Sequence, residues 1–114
     1  MIQPNMTGLE KADMGLLSEC KAAIRQASPG ADVILYGSRA RGDAQEDSDY
    51  DLLVLVDCEP SIVLEQAMVE QLFPLEMRSG KVLTFLVYQR SQWNSPLYQA
   101  MPFHKNVTRE GLAI

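Results

Sequence analysis

The run from Asp49 to Asp57 (DYDLLVLVD) is apolar enough to lie centrally in a sheet, and a central strand obliges the rest of the chain to flank and cover it. Asp32-Val-Ile-Leu-Tyr36 reads as a second short buried strand, running directly into Gly37-Ser38. Lys81 to Gln89 (KVLTFLVYQ) is a third, on its β-branched and aromatic content. Between the first two strands, Arg39 to Ser48 is polar and rich in small residues, which predicts a turn or short helix followed by an exposed loop.

The covering layer is legible from periodicity. Leu9, Ala12, Leu16, Leu17, Cys20, Ala23, Ile24 and Ala27 recur at three- and four-residue steps, one face of an amphipathic helix over about Gly8 to Ala27. Thr7 and Glu10 have capping-box spacing at its start, and Ser28-Pro29-Gly30 ends it. Glu59-Pro60-Ser61 opens a second helix, with Ser61 as N-cap, Ile62, Leu64, Met68, Val69 and Leu72 apolar, and Pro74 expected to close it. The tail from Ser91 to Ile114 reads as one or two short helices packing back on the sheet. The order helix–strand–strand–helix–strand–helix implies an α/β fold, a small mixed β-sheet with helices packed on one side. With 114 residues, a single domain over 1–114 is expected.

Composition narrows the function. A formal net charge of -5 disfavours long nucleic acid as the main ligand, so any nucleotide site must be a local patch of basic residues and metal. Cys20 and Cys58 lie in apolar surroundings without C-x-x-C spacing and read as buried free thiols in a reducing compartment. The single His104 cannot complete a zinc site with them. The N-terminus lacks a basic segment followed by an apolar core, and no apolar run approaches the roughly 18 residues that span a bilayer, so the expected location is cytoplasmic, with no membrane partner.

Chemistry concentrates between Tyr36 and Val56. A Gly at the end of a strand lets backbone approach a ligand closely, and the amides that follow can point at a phosphate. Ser38 adds a hydroxyl, and Arg39 and Arg41 stand ready to neutralise phosphate charge. Asp49 and Asp51, two apart at a strand start, point to the same face and repel each other, which a divalent cation such as Mg²⁺ relieves. Strand, Gly-Ser, a ten-residue loop and Asp-x-Asp on the neighbouring strand put a phosphate cradle beside metal-binding carboxylates.

Tyr36-Gly-Ser-Arg-Ala-Arg-Gly42, followed by Ser48-Asp-Tyr-Asp-Leu52, resembles the signature of minimal nucleotidyltransferases of the DNA polymerase beta superfamily, without a gap over 17 residues. The resemblance implies a nucleotidyltransferase fold that binds Mg²⁺ and an NTP, with ATP expected. Gly37, Ser38, Arg39, Arg41 and Ser48 would contact the nucleotide, while Asp49 and Asp51 would be the catalytic, metal-holding carboxylates of a two-metal site. It also implies nucleotidyl transfer to a hydroxyl acceptor, and for stand-alone members a HEPN-type partner in a toxin–antitoxin pair. A second copy of the chain is a further expected partner.

One departure matters. The family pattern has a third carboxylate on the strand after the second helix, and Lys81 to Gln89 contains no acid; Thr84 stands about where it is expected. Two readings stay open: a catalytically inactive nucleotide-binding or antitoxin-like interaction module, or a site completed by Glu76, Asp57 or a partner subunit. Of the remaining candidates, His104 reads as a surface or helix-end residue rather than a catalytic base. Asp43, Glu46 and Asp47 read as solvated loop charges. Trp93, Tyr98, Phe103, Tyr36 and Tyr88 read as packing residues rather than a nucleobase platform.

Overall fold

The computed structural model describes residues 11–45 and 47–114. Its first element, α1 (Lys11–Ala27), turns Leu17, Cys20 and Ile24 fully inward, the face that periodicity predicted. The expected start of that helix at Thr7 to Glu10 lies outside the described residues. Next come β1 (Asp32–Tyr36), a single turn of helix α2 (Ser38–Arg41), β2 (Tyr50–Val56), α3 (Ile62–Ser79) and β3 (Leu83–Gln89). Three short helices, α4 (Arg90–Trp93), α5 (Pro96–Gln99) and α6 (Pro102–Glu110), lead to the two-residue strand β4 (Leu112–Ala113).

The four strands form one mixed sheet in the order β3-β2-β1-β4. As its composition required, β2 is central: parallel to β3 on one side and antiparallel to β1 on the other. Alternation along β2 splits its side chains between two layers. Tyr50, Leu52, Val54 and Val56 join Val33, Leu35 and Leu83 beneath α1 and α3, which adds Met68, Leu72 and Leu75. Leu53 and Leu55 face the other way with Ile34, against Trp93 of α4 and Val107 of α6. Both long helices therefore share one side of the sheet, and the short C-terminal helices cover the opposite side. That second layer was foreshadowed only as a tail packing back on the sheet.

Pro74 does not close α3. The helix runs five residues further to Ser79 and ends at Gly80, whose N–H still reaches the Glu76 carbonyl and whose φ of 71° turns the chain out of the helix. A mid-helix proline removes one backbone bond and costs about 3 kcal/mol. Here its ring is exposed, while Leu72 and Leu75 on the opposite face are buried on the sheet and hold both halves of the helix in place. At the other end the expected cap is present: the Ser61 hydroxyl accepts from Leu64 N. Among the described residues no helix is long and apolar enough to cross a membrane.

The cysteines divide. Both are free, but Cys58, just past the end of β2, is exposed rather than buried. Cys20 lies in the core, where burial, reinforced by the charge of Glu76, pushes its thiol up to about 12. The apolar neighbours of Cys58 in sequence belong to β2 and point inward, so local hydrophobicity misplaced it.

Candidate functional site

β1 and β2 pair so that Tyr36, the last residue of one, lies opposite Asp51 near the start of the other. Gly37 is therefore packed directly on the Asp51 side chain. A Cβ at Gly37 would stand 2.4 Å from Asp51 Oδ2, and the φ of 79° is one that only glycine adopts easily. The glycine turn and the carboxylate are in direct contact, as the motif spacing required. Burial, then the nearby Asp51 charge, then Tyr88, raise the Tyr36 hydroxyl above the ordinary tyrosine value. Asp49, one residue before β2, is exposed.

The parallel register of β2 and β3 places Thr84 directly opposite Asp51. Its hydroxyl donates to Asp51 Oδ1 at 2.8 Å. The position that sequence singled out thus adjoins Asp51, and it carries a hydrogen-bond donor rather than an acid. The other two acids considered there are committed elsewhere. Glu76 Oε2 accepts from Leu83 N at 3.0 Å, closing the turn into β3. Asp57 follows the far end of β2, roughly 20 Å from Asp51 at the usual strand rise, and accepts from Arg90.

The two arginines of the turn part company. Arg39 folds inward, only 11% exposed, with Nε and Nη2 donating to the Ser48 carbonyl at 3.3 and 2.9 Å. Its guanidinium carbon lies 4.3 Å above the Tyr50 ring. Tyr50 in turn donates its hydroxyl to Asp13, and burial together with that bond pushes it up to about 12. The Ser48 hydroxyl accepts from Gln45 N at 2.9 Å. Arg39 and Ser48, both expected at the nucleotide, clamp the loop that delivers Asp49 and Asp51. The reason is local: a buried tyrosine two residues past Ser48 offers a flat guanidinium a better seat than solvent does.

Arg41 stays outside, 46% exposed, and its Nη1 donates to Glu110 Oε2 at 3.1 Å while Nε donates to Asp43 at 3.2 Å. These bonds, that to Glu110 first, raise Arg41 further above its already high value. The other Glu110 oxygen accepts from Gly37 N at 3.1 Å. Sequence reasoning missed Glu110 altogether. The one available signal was a carboxylate on the last residue of a helix, where the negative end of the helix dipole disfavours it.

The aromatic residues pack as expected. Trp93, Tyr98 and Phe103 gather Tyr36 and Tyr88 into a cluster on the second face, with Tyr36 edge-on to Phe103 at 5.3 Å. His104 sits in the first turn of α6, the helix end that sequence allowed, and is half-buried, stacked on Trp93 at 4.2 Å. Beside the site, an open cavity of about 660 Å³ lies between the loop residues Gln45, Asp47 and Ser48 and the α3–β3 turn at Gly80, Lys81 and Val82.

Asp49 and Asp51 suit a Mg²⁺ that arrives with a nucleotide, since this ion is usually held by one or two carboxylates plus phosphate oxygens and water. Among the described residues no group of three or more histidine, cysteine, aspartate or glutamate side chains is placed to hold a metal.

Residues 17–101 match the nucleotidyltransferase domain family. Two relatives come from Methanocaldococcus jannaschii. The chain is 33% identical over 79 residues to the "Putative protein adenylyltransferase MJ0604", covering 69% of this chain and 72% of the relative. It is 32% identical over 59 residues to the "Putative protein adenylyltransferase MJ0141", covering 52% of this chain and 60% of the relative. A solved structure, described as a toxin–antitoxin with AMP-PNP, shares the fold at a TM-score of 0.59 and 16% identity, covering 84% of this chain and 69% of that one.

Proposed function

This chain belongs to the nucleotidyltransferase domain family, and we propose that it transfers a nucleoside monophosphate from Mg²⁺–ATP to a hydroxyl group on a partner protein. The observation that carries this reading is the contact of Gly37 with Asp51, which leaves no space for a side chain between the phosphate turn and the metal carboxylate. In the reaction the acceptor oxygen forms a bond to the α-phosphorus, the α–β phosphoanhydride bond breaks, pyrophosphate leaves, and the hydroxyl proton passes to solvent. Asp49 and Asp51 would hold the Mg²⁺, whose charge offsets that of the phosphate oxygens and eases ionisation of the acceptor hydroxyl. Ser38 and Arg41 would bind the phosphates, with Gly37 allowing the close approach. Arg39 and Ser48 serve the site by fixing the loop into β2.

Protein as the acceptor class is supported by the names of the two relatives, and a toxin–antitoxin setting by the solved neighbour, while a HEPN-type toxin as the partner follows only from the resemblance of the motif. A cytoplasmic setting suits the two free thiols. The test is calorimetric titration with ATP and Mg²⁺ beside an Asp49→Asn/Asp51→Asn double variant. Binding that requires Mg²⁺ and is lost in the double variant supports the site; absence of binding to the wild-type chain removes it.

A second reading is favoured by Thr84. A hydroxyl where the family carries an acid weakens the grip on a second metal, which suits an interaction module that binds nucleotide without transferring it. If the protein still neutralises its partner in cells after Asp49→Asn/Asp51→Asn, contact rather than transfer is its role.

A further inference from the structure

We propose that Glu110 is a positioning residue for the phosphate turn, holding it in shape from the C-terminal helix before any nucleotide arrives. The proposal rests on the reading of residues 37–42 as the triphosphate site.

One carboxylate spans the two ends of that turn. Glu110 Oε1 accepts from the Gly37 amide and Oε2 from Arg41 Nη1, both at 3.1 Å. The side chain is only 12% exposed, which strengthens both bonds relative to a solvated pair. Gly37 opens the turn at a left-handed φ of 79°, where glycine is free to take several conformations. A charged acceptor on its amide selects one of them. Arg41 has five N–H donors, and its bonds to Glu110 and Asp43 leave others for a phosphate on its exposed side.

The chain on either side of Glu110 is held fast, which makes it a strut rather than a swinging arm. Val107, one turn earlier, is fully buried. Gly111 is wedged so closely that a Cβ there would stand 2.5 Å from the Val107 carbonyl oxygen and 2.9 Å from Ile34. Immediately afterwards β4 pairs with β1, Leu112 opposite Leu35 and Ala113 opposite Ile34, and Ile114 N donates to the Val33 carbonyl. The strand that ends in Gly37 is therefore the strand on which the backbone just beyond Glu110 is zipped. Placing a carboxylate against the negative end of α6 is unfavourable by itself, and the Gly37 and Arg41 donors offset that cost.

The test is titration of Mg²⁺–ATP into the full chain as wild type, Glu110→Ala, Glu110→Gln and Asp51→Asn. Melting temperatures and the Gly37 amide resonance are recorded for each. Glu110→Ala removes both contacts and is expected to weaken binding about tenfold, the size of one charged hydrogen bond. Glu110→Gln keeps an acceptor for Gly37, loses the ion pair, and is expected to weaken binding roughly threefold with a smaller amide shift. The glutamine variant keeps shape and volume, so it carries the test should the alanine variant not fold. Unchanged affinity with a lowered melting temperature overturns the proposal in favour of a purely structural strut. Tighter binding in both variants overturns it in favour of a carboxylate that competes with phosphate. Loss of binding in Asp51→Asn with none in Glu110→Gln sinks Glu110 alone. A wild-type chain that binds no nucleotide sinks the site and this role with it.

Discussion

Each end of the sheet carries two aspartates, and the chain treats them oppositely. Where β1 begins and β2 ends, Asp32 and Asp57 share Arg90: Nε donates to Asp57 at 2.9 Å and Nη1 to Asp32, while Nη2 reaches the Gly30 carbonyl at 3.1 Å. Arg25 stands 3.9 Å from Asp32 as well. Where β1 ends and β2 begins, Asp51 receives the Thr84 hydroxyl, and among the described residues neither Asp49 nor Asp51 forms an ion pair. The two arginines of the turn bond to Ser48 and Glu110. Carboxylates that brace a fold take a counterion from the chain, because two like charges brought close destabilise it. Among the described residues Asp49 and Asp51 have no such counterion, which suits the proposed binding of a Mg²⁺–nucleotide there.

The sharpest way to break that comparison is to neutralise each pair. Asp49→Asn/Asp51→Asn is expected to lower affinity for Mg²⁺–ATP by about a hundredfold, or roughly 2.8 kcal/mol, and to leave thermal stability unchanged or raised. Calorimetry and a melting curve read the two effects. A large fall in melting temperature without loss of binding would mean this pair is structural after all.

Glycines near the two ends offer a second contrast. Gly30 and Gly37 both have positive φ, 86° and 79°, yet a Cβ at Gly30 meets nothing within 4 Å. Gly30→Ala is expected to cost about 1 kcal/mol, from backbone strain alone. Gly37→Ala adds the collision with Asp51 Oδ2 and is expected to cost about 2–3 kcal/mol and to displace the carboxylate. Urea denaturation of the two variants measures the gap; equal costs would mean that Asp51 yields freely, and that the tight contact defines nothing.

At the braced end, Arg90→Met is expected to destabilise by about 1–2 kcal/mol, through two exposed carboxylates left facing each other and the backbone carbonyls losing their donor. That is a fall of roughly 4 °C in melting temperature per kcal/mol for a chain of this size. Nucleotide affinity should not move. A change in affinity would show that the two ends are coupled through β2.

How much of this was readable beforehand follows a physical division. The central strand, the inner face of α1, the Ser61 cap and the joining of Gly37 to the Asp51 carboxylate are short-range consequences of periodicity, capping chemistry and strand register. Thr84 was placed by counting along β3, and the parallel register put it opposite Asp51. What escaped was long-range or context-bound. Glu110 meets Arg41 across 69 residues of sequence, a contact no local pattern encodes. The seat of Arg39 over the Tyr50 ring and on the Ser48 carbonyl exists only after folding, so the motif alone does not encode it. Pro74 reads as a stop in the sequence because burial of Leu75 on the sheet is invisible there.

The smallest effect on stability is the most informative about the unbraced end. Thr84→Asp would place a third carboxylate opposite Asp51, replacing a hydroxyl that donates to it. Without metal, like charges directly across two strands should destabilise by about 0.5–1 kcal/mol, a shift near the limit of a denaturation curve. With Mg²⁺ present the sign should reverse, since a cation bound to three carboxylates stabilises the folded chain in proportion to its occupancy. The measurement is the melting temperature of wild type and variant across a Mg²⁺ titration. A variant that gains stability with Mg²⁺ while the wild type barely responds would place the threonine as the element that keeps this end from holding metal by itself, so that the nucleotide must bring it. Equal responses would mean that the wild-type carboxylates already bind the ion unaided, and that Thr84 sets no such limit.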